Sequence, residues 1–379
     1  MHNELQTTVA ITACDSYNAE ILYPKIDFLM GLLGGMEQFV RPGQKVLLKP
    51  NLLSAKEPSR AITTHPEIVA AVARKVREIG ADVFVGDSPG GAKRGVRRVW
   101  KNTGMLEMAE REKIELVNFE ASGVEKFSID GRDYYLAKPA IEADLIISLA
   151  KLKTHVLTLM TGAIKNVFGL IPGFRKANYH KEFPRPNEFA QVIVDILSLK
   201  TPALTIMDAI LSMEGDGPSS GTPRWSNLLL ASSDPVALDA VAAEIIGLNP
   251  SRVPTTRIAS EAGLGIGWPE AIDIVGERLA DVKIPDFKLT SNRKLELIPK
   301  FLWKLLAPYV WVRPAISEEI CTNCYNCVNS CPTGALRIGI RKIPVFDYDL
   351  CINCWCCHEL CPEKSVFVDQ SWLAKKFIR

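Results

Sequence analysis

The sequence predicts an α/β fold, a mostly parallel sheet flanked by helices, with a small cysteine-rich α+β module behind it. Three observations carry this. Short apolar runs alternate with segments of helical periodicity through residues 1–290, as they do when strands feed crossover helices. Polar groups gather at the ends of the apolar runs, where an open α/β sheet builds its ligand crevice. Nine of the ten cysteines lie between residues 321 and 361. The expected organisation is a large unit at 1–290, a linker at 291–314 and a module at 315–379.

The elements follow in order. TVAITA and KVLLKPN read as buried strands. THPEIVAAVARKVREIGA reads as a helix with a capping box, Thr64 at the N-cap and Glu67 at N3, ended by Gly80. ADVFVGDS is a third strand, and IELVNF follows a helical stretch around 94–112. FSIDGRDYYL is a hairpin turning on Asp130–Gly131. ADLIISLAKLKTH, ALTIMDAI and NLLLASS are further apolar runs. Between the first two of these, TGAIKNVFGLIPGFRKANYH reads as a helix carrying Lys165 and Asn166, followed by a glycine-containing loop. The last helix of the series has Asp234 at its N-cap and Pro235 at N1, with Leu238, Val241, Ala242 and Ile245 as its core stripe.

The candidate site lies at the strand ends. Lys49 and Asn51 end the second strand, and Asp87 and Ser88 the third. Lys151, Lys153, Thr154 and His155 end IISLAKLKTH, Asp208 ends ALTIMDA, and Asp234 follows NLLLASS. One crevice could collect them all. Lys151 and Lys153 are two residues apart on a strand and so point to one side, where two cations need an anion. The reading is an anion site of Lys49, Asn51, Lys151, Lys153, Thr154, Lys165 and Asn166, with Lys176 nearby. Asp87 and Asp208 would orient the lysines, bind metal or move protons, and Asp87 and Ser88 would also touch the substrate. Lys151, Lys153, His155 and Asp208 are the catalytic candidates, with His155 or Asp208 handling protons. Asp87, Ser88 and Asp234 also serve as plain helix caps, and a histidine is as often structural as catalytic.

Composition narrows the function classes. The 379 residues are 47% apolar, enough for a sizeable core. Lys and Arg number 45 against 43 Asp and Glu, so no global charge favours nucleic acid. No signal-peptide pattern and no spanning apolar run is visible, which points to a cytoplasmic protein. Residues 296–314, ELIPKFLWKLLAPYVWVRP, read either as an interfacial helix touching a membrane or as a packing linker, and the scattered apolar pattern favours the linker.

The cysteines decide the module. CTNCYNCVNSCP and CINCWCCHELCP each spell C-x2-C-x2-C-x3-C-P. That spacing lines three corners of an iron–sulfur cube, and the fourth cysteine crosses to its neighbour. Cys321, Cys324, Cys327 and Cys361 would hold one [4Fe–4S] cluster; Cys351, Cys354, Cys357 and Cys331 the second. Zinc also takes thiolates, but eight cysteines at doubled spacing fit cubes better. Tyr325 and Trp355 would shield the cubes from water. Cys356, inside the second motif, is a spare ligand, a redox thiol or a bland neighbour, and Cys14 reads as a buried apolar thiol.

VLLKPNLL, TTHPEIV, GDSPGG, AKLKTH, GAIKNVFG, MDAI, MEGDGP and SDPVALDA together resemble the domain-of-unknown-function family numbered 362, over roughly residues 8–280. Members often carry a C-terminal two-cluster ferredoxin domain, which residues 315–370 resemble. The resemblance implies an iron–sulfur protein and treats these segments as one site; it implies no substrate. The resulting expectation is an oxidoreductase passing electrons through two [4Fe–4S] clusters to an anionic small molecule. The alternatives are an electron-transfer or cofactor-maturation protein serving a redox partner, and a non-redox enzyme with structural clusters.

Overall fold

The computed structural model describes residues 7–90, 95–173, 175–183, 185–290 and 312–372. Gly91, most of the 291–314 linker and the end of the C-terminal tail therefore lie outside the described residues.

The large unit is built on one nine-stranded sheet. Its strands are β1 (Thr8–Ala13), β2 (Lys45–Pro50), β3 (Asp82–Asp87), β4 (Glu115–Asn118), β7 (Leu145–His155), β8 (Leu159–Thr161), β9 (Leu204–Glu214), β10 (Thr222–Ser232) and β11 (Asp273–Gly276). The spatial order is β11-β1-β10-β9-β7-β2-β3-β4, with β8 folded back onto β7. The pairs β1–β11, β9–β7, β7–β2, β2–β3 and β3–β4 are parallel, and β10 runs against both β1 and β9. The predicted hairpin forms its own small sheet, β5 (Val124–Ile129) with β6 (Arg132–Ala137). Asp130 and Gly131 both take positive φ, which its tight turn requires.

Both faces of the sheet are covered, so its central strands are near-continuous apolar runs without alternation. Helices Ala19–Gly31 and Pro66–Glu78 pack on one face through Leu22, Ile26, Ile68 and Val72, against Val46, Leu48, Ile147 and Leu149. Helices Pro186–Leu199 and Pro235–Ile245 cover the other through Phe189, Ile193, Leu238 and Val241.

One predicted cap is corrected. His65, not Thr64, caps the helix Pro66–Glu78, its Nδ1 accepting from the Glu67 N–H at 3.2 Å. Thr64 is fully buried and ties strands together: its hydroxyl donates to Leu149 O at 2.7 Å and accepts from Asn51 N at 2.9 Å. The expected helix around Lys165 is shorter than the sequence suggests. Ala163–Asn166 makes one turn, Val167–Leu170 continues as 3₁₀, and a separate helix spans Arg175–Glu182.

The C-terminal unit pairs β12 (Val312–Ile316) with β15 (Val366–Gln370) and β13 (Leu336–Ile338) with β14 (Pro344–Phe346). It thus begins slightly upstream of residue 315. Its halves repeat in backbone as well as sequence: Asn323 and Asn353, and Tyr325 and Trp355, all take left-handed φ.

Candidate functional site

The eight motif cysteines gather into two small cavities. Cys321, Cys324, Cys327 and Cys361 line one; Cys331, Cys351, Cys354 and Cys357 line the other. This is the crossed arrangement that the spacing predicts, with the fourth cysteine of each motif delivered to its neighbour. Burial pushes the Cys327 thiol up to about 12 and that of Cys357 well above its ordinary value. Bound iron would reverse this by holding the thiolates, so the donor set fits an iron–sulfur group.

The two halves meet different surroundings. Tyr325 stays partly exposed, its hydroxyl on Lys342 O at 2.9 Å, whereas Trp355 is 4% exposed and joins the core of the large unit. Trp355 is therefore a docking anchor more than a shield. Around it, Ser219 donates to His358 O at 3.0 Å, Lys364 donates to Gly221 O at 2.6 Å, and Glu359 meets His155 Nε2 at 2.8 Å.

This docking closes a cavity of about 370 Å³ at the carboxyl ends of the parallel strands. Lys49, Asn51, Asp87, Ser88, Lys153, Lys165 and Asn166 line it, as the sequence predicts, together with Lys176. Thr161, His180, Glu120, Cys356 and Glu359 join them, none of which the sequence pattern places there. The only sequence signal for Glu359 is a divergence between the repeats, His358–Glu359 standing where the first motif has Val328–Asn329.

The polar wall is built from β2, β3, β7 and the turn after β8. Lys49 Nζ donates to Asp87 at 2.7 Å and to Asn166 Oδ1 at 3.3 Å. Asn166 donates onward to Lys49 O and Ser148 Oγ, and its oxygen also accepts from Asn51, so its amide is fully used. Gly169 is required here by close approach: a Cβ would stand 2.0 Å from Asp87 Oδ1. Lys176 bonds the Ser88 hydroxyl at 2.8 Å, and that hydroxyl meets Glu120. Burial lowers Lys176 to about 8 despite Asp87 and Glu120. Lys153 donates to Asn51 Oδ1 at 2.8 Å and Ile62 O at 2.7 Å, and no carboxylate among the described residues bonds to it. Burial and the neighbouring Lys165 hold it well below the usual lysine range.

Lys165 is set in place by Asp239. The carboxylate of Asp239 accepts from Ala163 N at 2.6 Å and Ile164 N at 3.0 Å and so caps the turn that carries Lys165 and Asn166. Asp239→Ala is expected to strand two buried N–H donors, each costing about 1–3 kcal/mol, and to lower thermal stability accordingly. A melting temperature equal to wild type would refute this placement.

The predicted site is not gathered whole. Lys151 and Asp208 pair with each other at 2.7 Å, and Tyr17 donates to Asp208 at 2.7 Å. They share a sheet face with Ile147 and Leu149, whereas Lys49 stands opposite Ser148 on the other face. The anion that Lys151 needs is therefore Asp208 itself, and neither lines the cavity. The β7–β9 register shifts between Lys151 and Lys153, with the extra residues on β9, and Lys153 does line the cavity. His155 is fully buried; its Nδ1 accepts from Leu157 N and Thr158 N, leaving the proton on Nε2 facing Glu359. Burial and Lys165 lower it to about 3, so it stays neutral and structural. Thr154 bonds Met213 O and Gly217 N, away from the cavity. Asp234 lies at the other end of the sheet because β10 runs antiparallel, and there it caps its helix and accepts from Ile266 N.

Residues 46–244 match the family described as Domain of unknown function (DUF362), more than half of the chain. The chain belongs to that family. All cavity residues contributed by the large unit fall inside the DUF362 match, and residues 313–364 match a 4Fe-4S dicluster domain. The C-terminal unit is thus an iron–sulfur electron-transfer module. A thylakoid-associated protein of Synechocystis sp. is 38% identical over 294 residues, covering 74% of this chain and 91% of that protein. Among solved structures, the lactate racemase apoprotein of Thermoanaerobacterium thermosaccharolyticum is 14% identical with a TM-score of 0.40, covering 61% of this chain and 55% of its own. A Thermotoga maritima protein is 12% identical with a TM-score of 0.38, covering 66% and 60%. The chain thus spans little more than half of these structures. No helix among the described residues is long and apolar enough to cross a membrane.

Proposed function

We propose that the protein is an oxidoreductase in which two [4Fe–4S] clusters relay single electrons to an anionic small molecule held in the lysine-lined cavity. Cys321, Cys324, Cys327 and Cys361 would hold one cluster, and Cys351, Cys354, Cys357 and Cys331 the other. One observation carries the reading: Cys356, between two cysteines of the second motif, borders both the second cysteine cavity and the large one. A relay fused to the chamber that consumes its electrons also raises the effective concentration of donor at acceptor.

When bound, the clusters supply the electrons. The chain's own residues do the rest. Lys153 and Lys165 bind the anion, Asn51 and Asn166 hold the lysines in register, and Lys176 is placed to give or take a proton. Glu359 and Leu360 form the side of the chamber that the C-terminal unit contributes. Ile320 before the first motif is 50% exposed and Leu350 before the second 49%, an apolar surface that suits electron exchange with a redox partner protein. We infer a cytoplasmic protein, and the association named for the Synechocystis relative supports peripheral contact with a membrane surface.

The test is reoxidation of anaerobically reduced protein by a panel of anionic metabolites, followed in the visible band. Lys153→Ala is expected to slow it about 10- to 100-fold, the worth of one charge-assisted hydrogen bond, with the oxidised spectrum unchanged. Reoxidation by a protein partner alone, with no metabolite active, would favour an electron carrier without its own catalysis.

A further inference from the structure

We propose that the cavity selects a singly charged carboxylate carried on an apolar, aromatic body, and rejects polyphosphates. This deepens the reading above by naming the substrate class, and rests on it.

The charge balance comes first. Lys49 is spent on Asp87 at 2.7 Å, and Lys176 and Glu120 meet on the Ser88 hydroxyl, which leaves Lys153 and Lys165 beside Glu359. His180 adds nothing, since burial lowers it to about 4. Lys153 is held well below the usual lysine range, so Lys165 is the ammonium left to meet a ligand. One such charge matches a monoanion, whereas a polyphosphate would bring several negative charges beside three carboxylates.

The unpartnered groups locate the carboxylate. Lys165 Nζ makes no hydrogen bond or ion pair among the described residues; it lies 5.9 Å from the Phe168 ring centroid and 6.0 Å from that of Phe189. Thr161 Oγ1 and His180 Nδ1 are buried without partners, their residues 2% and 3% exposed, and both residues line the cavity. Thr161 stands opposite Lys153 in the β7–β8 ladder. An ammonium, a hydroxyl and a neutral imidazole, all unspent, suit one carboxylate and a neighbouring polar substituent.

The rest of the lining is apolar. A Cβ on Gly90 would meet Leu360 at 3.1 Å and Leu53 at 3.7 Å, so these three form one apolar side at the cavity's rim. Phe168 stands on another, edge-on to Phe189, whose ring stacks on His180 at 4.0 Å. A flat hydrocarbon body fits between such surfaces.

The experiment is calorimetric titration of oxidised, cluster-loaded protein with 2-naphthoate, its neutral isostere 2-naphthamide, acetate and pyrophosphate. The expected result is binding of 2-naphthoate at least about tenfold tighter than each of the other three, as one charge-assisted contact would give. Lys165→Met is expected to lower 2-naphthoate affinity about tenfold while leaving the 2-naphthamide affinity and the visible spectrum unchanged, and Lys165→Arg to restore part of it. Pyrophosphate or acetate binding as well as 2-naphthoate, equal binding of the amide, or no binding of any probe would overturn the assignment. No electron moves in this assay, so its failure alongside reoxidation by some polyanion would end the substrate class and leave the relay standing.

Discussion

Cys331→Ala is expected to empty the second cysteine cavity while sparing the first, although Cys331 belongs to the first motif. The cavity linings place it with Cys351, Cys354 and Cys357. Iron should fall from about eight to about four per chain, since each cube contains four. The reduced variant should give the spectrum of one isolated paramagnet in place of two coupled ones. Cys361→Ala should do the converse and keep the second motif's cluster. If either change removed the cluster of its own motif, or both clusters together, the crossed assignment would be wrong.

Glu359→Ala is the second large effect. The carboxylate is buried, 2.8 Å from His155 Nε2. Burial alone would push it up, but the hydrogen bond from His155 and the Lys165 charge outweigh burial and hold it below the usual carboxylate range. Its removal leaves the Lys165 ammonium uncompensated in a low-dielectric chamber and deprives His155 of its acceptor. Leaving the buried His155 N–H without its acceptor costs about 1–3 kcal/mol, and the nearby Lys165 charge adds to the loss. The loss should appear as undocking of the C-terminal unit: faster proteolysis between residues 290 and 312, and a lower urea midpoint. Glu359→Gln keeps an acceptor for His155 without the charge and should fall between. A variant as protease-resistant as wild type would show that Trp355 and the Ser219 and Lys364 bonds hold the dock alone.

Much of this arrangement was legible in the residues. Central strands covered on both faces are continuous apolar runs, so β2, β3, β7 and β9 were visible, as were the polar groups at their ends. The direction of β10 was not, because an apolar run looks the same in either orientation; Asp234 was misplaced for that reason. Strand alternation tells which residues of one strand share a side, but not how two strands are registered. Lys49 opposite Ser148 and Lys151 opposite Asp208 therefore fall on different faces without any local sign. Thr64 has the right chemistry for an N-cap, yet its hydroxyl is spent on Leu149 and Asn51. Glu359 was hidden by its neighbours: inside a cluster motif, attention goes to the cysteines. Its meaning depends on His155 and Lys165, some two hundred residues away in the chain.

The helix Cys356–Glu359 joins Cys357, a motif cysteine, to Glu359, a wall of the chamber, within one turn. Oxygen damage that dissolved the neighbouring cube would release that turn and unlatch the chamber with it. Wiring and receptacle would then fail together, like a fuse mounted in its own socket.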